Sequence, residues 1–166
     1  MIIIKHAGIH DIAVIHELAH RIWPTVYGNI ISPQQIKYML LGMYAQEVLQ
    51  HKMTVQHHDF IIAYEDEMPV GFACFYERKN LPVRVCRLDK LYVLPDQQGK
   101  GIGNQLIQHI ISKIKPAGIT VLDLTVNRKN IAVEFYKKLG FQIVAEEDTD
   151  IGSGFFMNDY IMQQKI

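Results

Sequence analysis

The feature that most constrains this chain is the stretch Leu91-Tyr92-Val93-Leu94-Pro95-Asp96-Gln97-Gln98-Gly99-Lys100-Gly101-Ile102-Gly103-Asn104. An apolar run ends at Pro95, three glycines follow at alternate positions, and a helical stripe of Leu106, Ile107, Ile110, Ile111 and Ile114 begins. The spacing predicts a strand, a tight turn and an amphipathic helix over Gly103–Lys115, ended by Pro116 and Gly118. Glycine lets such a turn bend sharply and lets a ligand reach main-chain N–H groups with no Cβ in the way. Those N–H groups are unpaired at a helix start, where the helix dipole adds positive charge, so the stretch suits a phosphate or pyrophosphate. It is not a P-loop, because Asn104-Gln105 follows Gly103 and the lysine and hydroxyl of that motif are missing. It is not a dinucleotide fingerprint either, because Leu106 stands where the third glycine belongs and the turn lies in mid-chain.

The rest of the chain fixes what surrounds that turn. Ile2–Lys5 reads as a first strand. Asp11 reads as an N-cap, and Ile12, Ile15, Ala19, Ile22 and Val26 recur at helical spacing until Pro24 kinks or ends the helix near Trp23. Ser32-Pro33 opens a second helix carrying Ile36, Met39, Leu40 and Met43. Phe60–Tyr64 and Pro69–Tyr76 form a hairpin about the turn Glu65-Asp66-Glu67, and Val83–Leu94 is a long strand. Thr120–Val126 is a strand, Asn130–Leu139 a helix capped by Gly140, and Phe141–Val144 and Phe155–Met162 the last strands. Hairpins followed by strand–helix–strand units imply one mixed α/β (α+β) sheet with helices on both faces.

With 166 residues, 49% of them hydrophobic and 20% charged, the chain has the makings of a single globular domain over residues 1–166. Seventeen basic and seventeen acidic residues cancel, so no bulk charge draws it to nucleic acid or to an anionic membrane. Two cysteines, Cys74 and Cys86, make no disulfide scaffold and read as reduced thiols of a cytoplasmic protein. No signal peptide or membrane span is visible.

Two blocks together resemble a known family. Gln98-x-x-Gly101-x-Gly103 after a strand is similar to the pyrophosphate loop of the GNAT acetyltransferase superfamily, and Asn130-Ile131-Ala132-Val133-Glu134-Phe135-Tyr136-Lys137-Lys138-Leu139-Gly140-Phe141 looks like its second conserved segment. The resemblance covers nearly the whole chain. It implies the GNAT fold, a mostly antiparallel sheet of six to seven strands with about four helices, and use of acetyl-CoA with no metal. It implies that Leu91, Tyr92 and Val93 run beside the pantetheine arm. The amides of Gln98, Gly99, Lys100, Gly101, Ile102, Gly103 and Asn104 would hold the pyrophosphate, and Asn130 would contact the cofactor or cap its helix. The Lys100 side chain would add a charge or simply be solvated.

The reaction implied is direct attack of a neutral amine on the thioester, with Tyr136 as acid to the leaving thiolate. Asp89 is the only carboxylate on its strand. The period-2 rule places it on one face with Arg87, Leu91 and Val93, as base or as a salt-bridge partner of Arg87 or Lys90. Glu77 and Tyr76 are weaker candidates for the base. The acceptor implied is a primary amine of a small molecule, polyamine-like in flavour, or of a peptide, and a homodimer is allowed by analogy. A non-catalytic, CoA-binding regulatory protein is the alternative.

One motif points elsewhere. His16-Glu17-Leu18-Ala19-His20 spells the H-E-x-x-H pattern of zinc hydrolases. The chain is rich in both letters, Arg21 puts a cation beside the site, and only Glu47 is at hand as a third ligand. On the acetyltransferase reading, His16, His20, Trp23 and Tyr27 lie along the substrate side of the first helix.

Overall fold

The computed structural model describes residues 1–166. Strand β1 (Ile2–Ala7) leads through a short turn into α1 (Ile12–Tyr27), α2 (Pro33–Tyr44) and α3 (Gln46–Thr54). The strands β2 (Asp59–Glu65), β3 (Met68–Arg78) and β4 (Val85–Val93) form an antiparallel meander. Helix α4 (Ile102–Ile114), β5 (Val121–Asn127), α5 (Ala132–Lys138), β6 (Gln142–Gly152) and β7 (Phe155–Lys165) complete the chain. The seven strands form one sheet in the order β1-β2-β3-β4-β5-β7-β6, in which β4 and β5 are the only parallel pair.

Each face of the sheet carries its own core. Ile102, Leu106, Ile107 and Ile110 of α4, with Val133 and Tyr136 of α5, pack on Ala73, Leu88, Leu122 and Leu124. Ile15, Leu18, Ile22 and Trp23 of α1, with Met39 and Leu40 of α2 and Leu49 of α3, cover Phe60, Ile62, Phe72 and Cys74. No helix is long and apolar enough to cross a membrane.

Four local expectations give way. Helix α1 runs through Pro24 to Tyr27. Trp23 and Tyr27 are both buried, at 1% and 7% exposed. Burying these two aromatic side chains contributes roughly 3–6 kcal/mol together, enough to offset the ~3 kcal/mol that an internal proline costs. Helix α3 had no periodic signal, since Leu49 is its only buried residue. Strand β6 does not stop at Val144. The acidic, exposed segment Glu146–Asp150 pairs with β7 as an edge strand, and charge on an edge strand keeps it from pairing with other chains. Asp11 precedes α1, but its carboxylate turns back to accept the Gly8 N–H at 2.9 Å. Ser32 does cap α2, its hydroxyl accepting from the Gln35 N–H at 3.1 Å.

Candidate active site

The site begins with a split in the sheet. The parallel pairing of β4 and β5 runs only from Val85↔Val121 to Leu88↔Leu124. Beyond it, β4 continues on β3 to Val93, and β5 continues on β7 to Asn127. The β4 edge from Asp89 to Val93 therefore has no strand partner on that side, and its backbone polar groups are free to bind a ligand lying in the slot. A cleft of about 750 Å³ occupies this slot, lined by Leu91, Tyr92 and Val93 on one side and Thr125, Val126 and Asn127 on the other.

The glycine turn closes one end of the cleft. Gly99 and Gly101 have φ of +83° and +78°, conformations that side-chain-bearing residues rarely adopt. Gly103 serves packing instead, since a Cβ there would stand 3.1 Å from the Phe135 ring. Between Gln98, whose N–H makes a long 3.4 Å bond to Pro95, and Gln105, whose N–H reaches the Gly101 carbonyl at 3.0 Å, no amide has a protein acceptor. Those free donors at the start of a thirteen-residue helix are a ready anion site. Gln98, Gly99, Gly101, Ile102 and Gly103 line the cleft. Asn104 does not, and nor does Lys100, whose ammonium turns to Gln97 at 2.6 Å and Glu65 at 3.4 Å. Lys129, which the sequence reading passed over, lines the same cleft at the entrance to α5. Asn130 does two things at once: its Oδ1 accepts the Ala132 N–H at 2.9 Å, capping α5, and its side chain borders the cleft.

Tyr136 lies in the cleft wall, packed between Phe135 and Phe141. Burial, with a smaller contribution from nearby Tyr27, pushes its phenol up, so it stays protonated at every physiological pH. Tyr27 in turn shares a 2.9 Å hydrogen bond with the Tyr92 hydroxyl. Trp23 packs on Tyr27 with tilted rings whose centroids are 4.4 Å apart, which makes α1 an aromatic wall of the cleft. Trp23 and Tyr27 thus border the cleft as the reading of α1 had them, whereas His16 and His20 do not.

Asp89 departs from its expected face. A bulge in β4 skips it, because Cys74 pairs with Lys90 while Phe75 pairs with Leu88. The alternation breaks there: Leu91 and Val93 pack against the α4 core, while Asp89 meets Lys90 and Lys52 of α3, and it still lines the cleft, as Lys90 does. Lys90 Nζ lies 2.7 Å and Lys52 Nζ 3.5 Å from Asp89 Oδ2. Burial alone would raise the Asp89 carboxyl, but those two ammonium groups outweigh it and hold it at about 2. Arg87 is instead bound to the fully buried Asp123 at 2.7 Å, together with Arg78 at 2.6 Å. Glu77 pairs with Arg84, Tyr76 stacks on His58 with centroids 4.0 Å apart, and neither borders the cleft.

The metal pattern in α1 does not assemble. His16 Nδ1 is bonded to the Tyr44 carbonyl and His20 Nδ1 to that of His16, each at 2.8 Å, and no third ligand-type side chain stands with the two rings. The one cluster of three ligand-type side chains, His58, Cys74 and Asp89, lies elsewhere. That cluster already holds the Lys52 and Lys90 ammonium groups against Asp89, so a cation is repelled.

A carboxylate that the sequence reading took for an ordinary strand residue is also in the cleft. Asp159 of β7 is 6% exposed, lines the cleft, and its Oδ1 has no hydrogen-bond partner. The signal for it was a lone acid in the apolar run Phe155–Met162.

A family model described as "Acetyltransferase (GNAT) domain" matches residues 29–159. The chain is 29% identical over 159 residues to the spermidine N(1)-acetyltransferase of Thermoplasma acidophilum, covering 93% of this chain and 94% of that one. It is 33% identical over 87 residues to the peptidyl-lysine N-acetyltransferase YjaB of Salmonella typhimurium, about half of each chain. The solved structure of the PaiA N-acetyltransferase from Thermoplasma acidophilum in complex with coenzyme A superposes with a TM-score of 0.84 at 28% identity, covering 100% of this chain and 99% of that one. The matched segment runs through the split in the sheet, the glycine turn, α5 and Asp159 alike, and the chain belongs to the GNAT acetyltransferase family.

Proposed function

We propose that the protein transfers the acetyl group of acetyl-CoA to a primary amine of a small, polyamine-like molecule, by direct attack within a complex of both substrates. The observation that carries the reading is the split between β4 and β5, whose free edge leads straight into six unpaired amides at the α4 start. A long arm of amide groups ending in a pyrophosphate matches that sequence of donors and acceptors. Leu91, Tyr92 and Val93 would pair with the arm, the amides of Gly99 to Asn104 would hold the pyrophosphate, and Lys129 would add a cation. Bound acetyl-CoA supplies a thioester carbonyl open to attack and a thiolate that leaves. Tyr136 donates the proton to that leaving sulfur: its phenol lines the cleft and stays protonated there, and the burial that raises the phenol equally denies a departing thiolate its solvent.

The acceptor class is supported from two sides. The relative that aligns over nearly its whole length is a spermidine N(1)-acetyltransferase. Beside the cleft, β6 and β7 carry Glu146, Glu147, Asp148, Asp150 and Asp159, a local negative charge on a chain of zero net charge. Such a field draws a polycation to the opening and disfavours an acidic acceptor.

The test is thiol release from acetyl-CoA with spermidine, spermine, putrescine and a lysine peptide, for the wild type and Tyr136→Phe. The expected result is turnover with a polyamine and a loss of kcat of about 100-fold or more in Tyr136→Phe, with stabilisation by acetyl-CoA intact. A protein that bound acetyl-CoA and released no thiol with any amine would be a sensor rather than a transferase.

A further inference from the structure

We infer that Asp159 is the catalytic base of the transfer, taking the proton of the acceptor ammonium within the cleft. This rests on the acetyltransferase reading above and assigns the proton acceptor within it.

The first ground is position. Asp159 stands opposite Asn127 of β5 and Glu147 of β6 in the sheet register, at the mouth of the split. It lines the cleft together with Tyr27, Asn130 and Tyr136. Tyr27 is within electrostatic reach of Asp159 and of Tyr136, so base and acid border the same space from different elements.

The second ground is an unmet need. Asp159 is more than nine-tenths buried, and its Oδ1 accepts no hydrogen bond from the protein. A buried acceptor without a donor is costly and uncommon in native proteins. Arg128, the nearest guanidinium, does not relieve it: one nitrogen bonds Asp148 at 2.7 Å and another the backbone carbonyl of Asp159 at 3.2 Å. What the site lacks is a cation with N–H donors, and a primary ammonium is such a group.

The third ground is basicity. The charged groups that bear on Asp159 are Glu147 and Asp148 on β6 and Arg128 on the loop after β5, with the neutral phenol of Tyr27 on α1. Burial first, then Glu147 and Asp148, raise the carboxyl to about 6 against the opposing pull of Arg128. Such a group is ionised at neutral pH yet basic enough to accept a proton, as a general base must be. Asp89, held at about 2 by two ammonium ions, is far weaker.

The step balances. Asp159 takes one proton from the ammonium. The freed nitrogen lone pair forms the C–N bond as the C–S bond breaks. The thiolate receives the Tyr136 proton, and Tyr136 recovers one from the acylated nitrogen. Asp159 then releases its proton to water.

The experiment compares the wild type with Asp159→Asn and Asp159→Glu in thiol release with spermidine from pH 5 to pH 10, with acetyl-CoA binding read separately by thermal shift. For Asp159→Asn the expected result is a kcat lower by about 100-fold or more at pH 7.5, with acetyl-CoA binding unchanged. The wild-type rise in rate near pH 6 should vanish, and the variant should regain rate as pH approaches the amine's own pKa of about 10. Partial activity in Asp159→Glu would agree. Asp159→Asn within threefold of a turning-over wild type, with the same pH profile, would overturn the assignment alone. A wild type that binds acetyl-CoA and acetylates none of the amines would overturn the substrate reading and this assignment with it.

Discussion

A single carboxylate can reveal its role through stability as well as rate. The Asp159 carboxyl sits at about 6 in the folded chain and near 3.9 when unfolded. Between those values the folded state binds the extra proton, so stability falls as pH rises from about 4 to about 6 and stays reduced above that. Asp159→Asn removes this cost. Its melting temperature should therefore exceed the wild type's at pH 7 by a few degrees, with the gap closing towards pH 4. An equal gap at both pH values would mean that the carboxylate is not held up by its surroundings. Asp159 was hard to single out because one acid among apolar strand neighbours looks the same whether it faces water or a cleft. Only the pairing of β7 between β5 and β6 decides that. Tyr136 was legible because a phenol on an otherwise apolar helix face, two turns after a capping asparagine, forms part of a family pattern.

At the scale of elements, the bulge in β4 separates the two candidate bases. Asp89 belongs to a cluster with Lys90, which is 2% exposed, and Lys52 on α3. Its depressed carboxyl contributes stability that is present above about pH 4 and lost as pH falls towards 2. Asp89→Asn leaves the buried Lys90 ammonium without its partner, so we expect a loss of about 3 kcal/mol in urea unfolding at pH 7. The folded variant should keep kcat within a few-fold. A collapse of kcat with little loss of stability would move the base to Asp89. The glycine turn carries a different expectation. Gly101 at φ +78° admits no side chain without about 1 kcal/mol or more of strain, and its amide is one of the free donors. Gly101→Ala should weaken acetyl-CoA binding by about tenfold or more, which calorimetry would measure. The turn was plain in the sequence because glycines carry their geometry with them. The bulge was not, since period-2 alternation holds only while no residue is skipped, and no residue type in Leu88-Asp89-Lys90 marks the skip. Helix α3 was missed for the same reason that Lys52 was: one buried leucine in nine residues leaves no stripe to read.

For the whole molecule, the split sheet makes ligand binding a structural event on both sides of the cleft. Residues 91–93 belong to the β1–β4 half, whereas 125–127 and 130–136 belong to the half built from β5, α5, β7 and β6. The halves share four residue pairs of β4 and β5 at the Val85–Leu88 end and nothing in the sheet beyond it. A ligand filling the slot replaces the missing strand contact. Acetyl-CoA at about 100 times its Kd should stabilise the fold by about 2.7 kcal/mol, and each kcal/mol is worth roughly 2–4 °C in a chain of this size. Thermal shift alone would not say where the ligand lies, so the sharper measurement is amide hydrogen exchange with and without acetyl-CoA. The amides of Gly99 to Asn104, free in the protein, should become protected, and so should the edge of β4 beyond Leu88. Slower exchange should also appear across the slot, in β5 from Thr125 and in the first turn of α5, because closing the gap couples the halves. Protection confined to the glycine turn would mean that the anion end is held while the arm lies outside the sheet, and the split would then not be the cofactor slot.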